Sequence, residues 1–280
     1  MWILKKPSLR KAKKDIDVVV AHCSNLDVGD KPLLEQLYDD YDNGGGTVTQ
    51  LQLQPLESKK DILKGQYAKT SGKLADKRTN NPLAYIRTEL NNKYVEKCPY
   101  CSVNTPQQLD HYMDKSHYGQ LAVCRLNLVP LCGTCNNKKG EKPYTDFVHP
   151  YYQHFPNADF LVADCKIVRK RVVATFRIDR VALNDNALAD KIERQMVHIR
   201  LRQRLQKSIT EFLSHTFLFF CGSTDAELKT FMGQLLAQTD ALYGRNDWRT
   251  ALLRGLANCP QFDVNVVKNM SSKPINGGGA

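Results

Sequence analysis

The chain has 280 residues, enough for one large domain or for two modest ones around a small module. With 42% hydrophobic and 25% charged residues it has the composition of an ordinary globular protein, and its longest apolar run, FLSHTFLFFCG around Phe217, is too short for a membrane span, so no membrane partner is expected. A formal charge of +11 fits simple solubility or a polyanionic partner equally well.

From the start to about Ala21, a basic segment running into IDVVVAH reads as a short helix followed by a strand. KPLLEQLYDDY is a helix, with Leu33, Leu34, Leu37 and Tyr41 at helical spacing, and NGGGT from Asn43 is a flexible break. SKKDILKGQYAKTSGKLADKR is polar and basic, a surface segment or a loosely packed helix. NNPLAYIRTELNNKY is a helix with Asn81 as candidate N-cap and Pro82 at its first position.

The stretch from Lys97 to Gly140 carries the chemistry. Cys98/Cys101 and Cys132/Cys135 are two Cys-x-x-Cys turns about thirty residues apart. Each turn offers two thiolates, and four thiolates complete the tetrahedron of a structural Zn²⁺. Such an ion supplies folding energy that so small an insert cannot gather from a core. Between the turns lies LDHYM, a strand by alternation, with Leu109, His111 and Met113 on one side and Asp110 and Tyr112 on the other. An imidazole can take a proton from water near neutral pH, and a carboxylate is a hard ligand for Mg²⁺ or Mn²⁺. By themselves, these two residues favour a hydrogen-bonded core histidine and a surface acid; their place between the two cysteine turns shifts the reading toward chemistry. Asn127 is a turn residue able to hold the backbone, and Asn136 opens a short helix, NNKKGEK, as a cap or an amide-oxygen metal ligand. Lys138 and Lys139 beside it are placed to attract phosphate. His149 either donates to phosphate or packs among the aromatics of HPYY.

Asp110-His111, Asn127 and Asn136, framed by the four cysteines, resemble the HNH, or ββα-metal, nuclease family over about 94–142. The resemblance implies that His111 is the general base, that Asp110 and Asn136 hold one Mg²⁺ or Mn²⁺ ion, and that Asn127 braces the loop orienting His111. It also implies a 5′-phosphate product. More narrowly, LDHYMDKSHYGQLAVCRLNLVPLCGTCNNKKG with FVHPYYQ is similar to HNH proteins of bacterial anti-phage systems such as the Septu type, in which the nuclease is paired with an ABC- or SMC-like ATPase. Asp114 and Gly119 depart from the proline expected in such relatives. DNA is the expected substrate. RNA cleavage by the same site is the alternative, as is a non-catalytic zinc module that binds nucleic acid or a partner.

Downstream, EKPYTDFVHPYYQHFPNADF should wrap a surface without regular structure, and LVADCKIVRKRVVATFRID is a β-hairpin turning at Arg169, Lys170 and Arg171. One long helix is expected from about Asn186 to Ser214. Its apolar stripe is Ile192, Met196, Ile199, Leu205, Ile209 and Phe212, and its basic face (Arg194, Arg200, Arg202, Arg204, Lys207) is solvated, docks a protein or tracks nucleic acid. Two further helices follow, capped by Ser223 or Thr224 and by Asn246, and the tail SSKPINGGGA is expected to be disordered. The fold class is therefore α+β: a zinc-stabilised ββα-metal module in a mostly helical chain with a short hairpin. The expected regions are 1–81 (basic, mixed), 82–150 (nuclease module) and 151–280 (docking region). No secretory signal pattern precedes the cysteines. The five outside the turns, Cys23, Cys124, Cys165, Cys221 and Cys259, read as buried thiols of a reducing cytoplasm.

Overall fold

The computed structural model describes residues 3–70, 81–93, 96–218 and 220–271, which fall into two compact units divided between residues 154 and 155. The architecture is α+β, mostly helical with two antiparallel hairpins. The segments expected as separate regions on either side of residue 81 belong to the same unit. Among the described residues no helix is long and apolar enough to cross a membrane.

The first unit opens with α1 (Leu9–Ala21) and α2 (Asp30–Asn43), which pack on each other. The valine-rich end of α1 is helical and not a strand. Ala12, Ile16 and Val19 recur every three or four residues, and all three are buried, so one helical face accounts for them. Leu34, Leu37 and Tyr41 form the buried stripe of α2, while Leu33 is largely exposed. The glycines after α2 are not a loose break. Gly44 caps the helix, and Gly45 and Gly46 take positive φ. A Cβ on Gly46 would lie 2.4 Å from the His149 ring, so only glycine fits there. Short α3 (Gln50–Leu53), held by a Thr49/Gln52 capping box, and α4 (Lys60–Gln66) precede a 3₁₀ turn at Tyr67–Thr70; α5 (Ala84–Lys93) leads to the cysteine-rich stretch.

In that stretch β1 (Gln108–His111) pairs antiparallel with β2 (Leu128–Leu131), from Gln108 opposite Leu131 to His111 opposite Leu128. The helix α6 (Gly133–Lys139) follows directly. Arg125, in the loop before β2, is buried and ties this hairpin to the helices. It donates to both carboxylate oxygens of Asp15 on α1 (2.6 and 2.7 Å) and to Glu89 on α5 (2.9 Å). As expected, the segment after Gly140 holds only a 3₁₀ turn at Tyr144–Asp146 before residue 154.

The second unit is built on the hairpin of β3 (Leu161–Val168) and β4 (Arg171–Ile178), whose turn residues Arg169 and Lys170 both have positive φ. Along β4, Val172, Ala174, Phe176 and Ile178 are buried while their neighbours face outward. A short turn of helix, α7 (Arg180–Leu183), is capped by Asp179. The long helix expected from 186 to 214 is two helices, α8 (Asn186–His198) and α9 (Leu201–Phe217), broken at Arg200, which takes a left-handed conformation. The break lets both apolar stripes reach β4, which a straight rod could not do. It also turns part of the basic face inward, because Nε of Arg202 donates to the Phe176 carbonyl.

α10 (Asp225–Tyr243) starts with a Thr224/Glu227 capping box, and α11 (Trp248–Ala257) packs on β3 closely enough that a Cβ on Gly255 would meet the Ala163 carbonyl at 2.2 Å. The cap of α11 is Asp247. Asn246, expected in that role, accepts from the backbone N–H groups of Phe160 and Leu161 and fixes the entry to β3. α12 (Val264–Ser271), which the sequence reading did not include, packs on α9. The tail expected to be disordered lies, beyond Ser271, outside the described residues. Of the five scattered cysteines, Cys23, Cys124 and Cys259 are buried, Cys165 is half-buried on the face of β3 that meets α11, and Cys221 is exposed.

Candidate active site

The four turn cysteines converge. Their sulfurs are buried and all lie within 4.8 Å of one another, with Cys101 Sγ and Cys132 Sγ 3.8 Å apart. Zn–S bonds of about 2.3 Å in a tetrahedron give an S···S edge of about 3.8 Å, so the cluster has the size and donor set of a structural zinc site. The surrounding backbone is shaped to it. The Cys98 carbonyl accepts from the N–H of Ser102, which has a positive φ, and the Val103 N–H donates to Cys101 Sγ at 3.4 Å. Burial pushes the Cys98 thiol well above its ordinary pKa, so its ionised form is favoured only beside a cation.

The clamp sets the hairpin. Gln108 and Asp110 share one face of β1, and α6 lies along it in two rungs. Nδ2 of Asn136 donates to Gln108 Oε1 (2.7 Å), and one turn later Nζ of Lys139 stands 2.9 Å from Asp110 Oδ2. Asn136, whose donor end is thus engaged, keeps its carbonyl oxygen as an acceptor. Asp110 Oδ2 is buried and meets the ammonium as an ion pair, without an aligned hydrogen bond. Burial raises the Asp110 pKa, opposed by the charge of Lys139. A carboxylate and an amide oxygen are hard donors, of the kind that Mg²⁺ or Mn²⁺ takes.

His111 ends β1 on the opposite side. It is 5% exposed, its Nε2 lies 2.9 Å from the Ala122 carbonyl, and the Tyr67 ring meets it edge-on with centroids 4.3 Å apart. A carbonyl can only accept, so Nε2 carries the proton and Nδ1 is a bare lone pair. Burial pushes the ring's pKa down to about 3, which keeps it neutral at any ordinary pH. Tyr67 is itself held, donating to the Leu109 carbonyl (2.7 Å).

Asn127 is fully buried, and each end of its amide is engaged. Nδ2 donates to the carbonyls of Met113 (3.0 Å) and Leu121 (3.4 Å), and Oδ1 accepts from the Met113 N–H (2.8 Å). It closes the 112–127 loop on itself, and that loop supplies the Ala122 carbonyl to His111.

Residues 98–142 match the family model for HNH endonucleases. This HNH segment contains the whole constellation from Cys98 to Lys139. A 56-residue stretch is 39% identical to protein ea31 of Escherichia phage lambda, covering 19% of this chain and 19% of that protein. The chain thus spans about a fifth of the length of the curated relative it matches. No solved structure matches.

Two residues expected to meet substrate stand elsewhere. Lys139 is 0% exposed and donates to the His111 carbonyl (2.7 Å) as well as facing Asp110, so it serves the frame of the HNH segment and not its surface. His149 is buried at 4%, where its ring packs on Tyr112 with centroids 4.0 Å apart, because HPYY folds inward under α2. Lys138 remains half-exposed on α6. Sequence reasoning missed Tyr67, Tyr41, Gln108 and Arg125. Gln108 alone left a signal, lying two residues before Asp110 on the same strand face. The others reach the site through long-range packing.

Proposed function

We propose that the HNH segment is the catalytic centre of a metal-dependent endonuclease acting on DNA. The observation that carries this is His111: a buried imidazole whose Nε2 faces the Ala122 carbonyl, which leaves Nδ1 as the ring's acceptor, next in sequence to a carboxylate. His111 Nδ1 takes a proton from water, whose oxygen attacks the phosphorus as the 3′ oxygen departs, leaving a 5′-phosphate. Asp110 and the amide oxygen of Asn136 would hold a Mg²⁺ or Mn²⁺ ion, whose chemistry is to stabilise charge developing on the phosphate and the departing oxygen. Asn127 holds the loop that fixes the His111 tautomer. Lys138, on the exposed side of α6, is left to attract the phosphate backbone, which gives affinity without sequence preference.

Plasmid DNA, single strands and tRNA incubated in parallel with Mg²⁺ or Mn²⁺ test this. We expect metal-dependent nicking of plasmid, and a His111→Ala protein about 10²- to 10⁴-fold slower. An equally active His111→Ala protein removes His111 from its role; cleavage of tRNA alone makes the substrate RNA.

The residues from 155 onward include none of those assigned to this centre. We propose them as the docking region for a regulatory partner, an ATPase of the kind paired with anti-phage HNH nucleases. The support is the basic content of α8 and α9 and the resemblance that the motif residues of the HNH segment suggest. Copurification of an ATPase with the native protein, lost when residues 186–271 are removed while the remainder keeps its zinc, is the expected outcome. Retention of the partner by the truncated chain would rule it out.

A further inference from the structure

Asn127 Oδ1 has a second donor, and it comes from outside the HNH segment. The Tyr41 hydroxyl, on α2 and fully buried, donates to Asn127 Oδ1 at 3.1 Å. The same hydroxyl lies 3.1 Å from Nε2 of His149. The proton positions along this line follow from complementarity. His149 Nδ1 accepts from the Tyr151 N–H (3.2 Å), so Nε2 carries the ring proton and donates to the Tyr41 oxygen. That leaves the Tyr41 proton for Asn127. Burial holds the Tyr41 hydroxyl well above the ordinary phenol range, so it remains a donor.

The line then continues to the base. Asn127 grips the Met113 and Leu121 backbone, and Ala122, next in the chain, accepts from His111 Nε2. The far end is equally constrained. The His149 ring is packed by Tyr112 and, edge-on, by Tyr152 (4.7 Å), and Gly46 leaves no room on a third side. Tyr152 is in turn anchored through its hydroxyl to Asp42 on α2 (2.7 Å).

We infer that Tyr41 and His149, contributed by segments on either side of residues 98–142, are positioning residues for the reaction: through Asn127 they hold the 112–127 loop in the shape that sets the His111 tautomer. This deepens the nuclease reading and rests on it for its catalytic consequence. The HNH segment is then an incomplete catalyst, and the turn from α2 is part of the enzyme.

The test uses the full chain. Tyr41→Phe keeps the ring and removes the hydroxyl. We expect kcat for plasmid nicking to fall about ten- to a hundred-fold with KM unchanged, since a misplaced base costs rate and not substrate affinity. Amide exchange at Met113, whose N–H donates to Asn127, should accelerate in the same protein. The control is Thr224→Val, which removes the hydroxyl that caps α10, and should lower thermal stability while leaving kcat at the wild-type value. His149→Gln, whose amide can still donate to Tyr41, should retain activity that His149→Phe loses. Wild-type Met113 exchange or wild-type kcat in Tyr41→Phe overturns the inference. If the wild-type protein cuts nothing, the nuclease reading fails, and Met113 exchange alone still decides whether Tyr41 holds the loop.

Discussion

At the scale of single residues, the buried groups explain more than the exposed ones. Arg125 and Asp15 form a bidentate pair with both side chains 3% exposed. Removing one member strands the other charge in a medium that cannot solvate it. Arg125→Met should therefore lower the unfolding free energy by about 3–5 kcal/mol, measured by urea denaturation. A loss under 1 kcal/mol would mean that Asp15 finds water. His111 sets a pH dependence of stability. Its folded pKa, about 3, lies below the unfolded value near 6.5, so the unfolded chain binds a proton that the folded one refuses. Stability tied to this ring is fully present above pH 6.5 and falls as the pH drops from there toward 3. The loss is about 1.4 kcal/mol per pH unit within that window. His111→Gln cannot take up this proton, so its stability relative to wild type should rise between pH 6.5 and 5. Parallel pH profiles for the two proteins would contradict the burial of the ring.

At the scale of elements, the sequence names a type more readily than an end. Alternating Val172, Ala174, Phe176 and Ile178 make β4 unmistakable, and its pairing with β3 places Arg169 and Lys170 in the turn. That turn needs positive φ twice, which Asn-Gly adopts at lower cost than Arg-Lys. Arg169→Asn with Lys170→Gly should add about 1–2 kcal/mol, seen as a higher melting temperature; an unchanged or lower value would show that the two side chains contribute bonds of their own. The break between α8 and α9 has no glycine or proline to mark it. Arg200 accepts a left-handed conformation because packing on β4 outweighs a local penalty of about 1–2 kcal/mol. Asn246 and Asp247 show the same limit. Both are good caps, and only the approach of β3 decides which one caps α11 and which one holds the strand.

For the whole molecule, the test is the cysteine cluster. The HNH segment has two four-residue strands and a seven-residue helix, too little regular structure to stand on its own. One zinc per chain should be found by elemental analysis. Its removal with a strong chelator should open 98–142 to protease while leaving residues 155–271 resistant; unchanged resistance throughout would show the clamp to be dispensable. The sequence by itself determined the cluster and the α+β class, and marked Asp110, His111 and Asn136 as candidates beside the cluster, because metal ligands and strand alternation are local patterns with fixed spacing. Only the tertiary structure decided that Lys139 and His149 turn inward and that Tyr41, 86 residues before Asn127, donates to its amide. A hydrogen bond between distant segments depends on how whole helices pack, and no spacing along the chain encodes it.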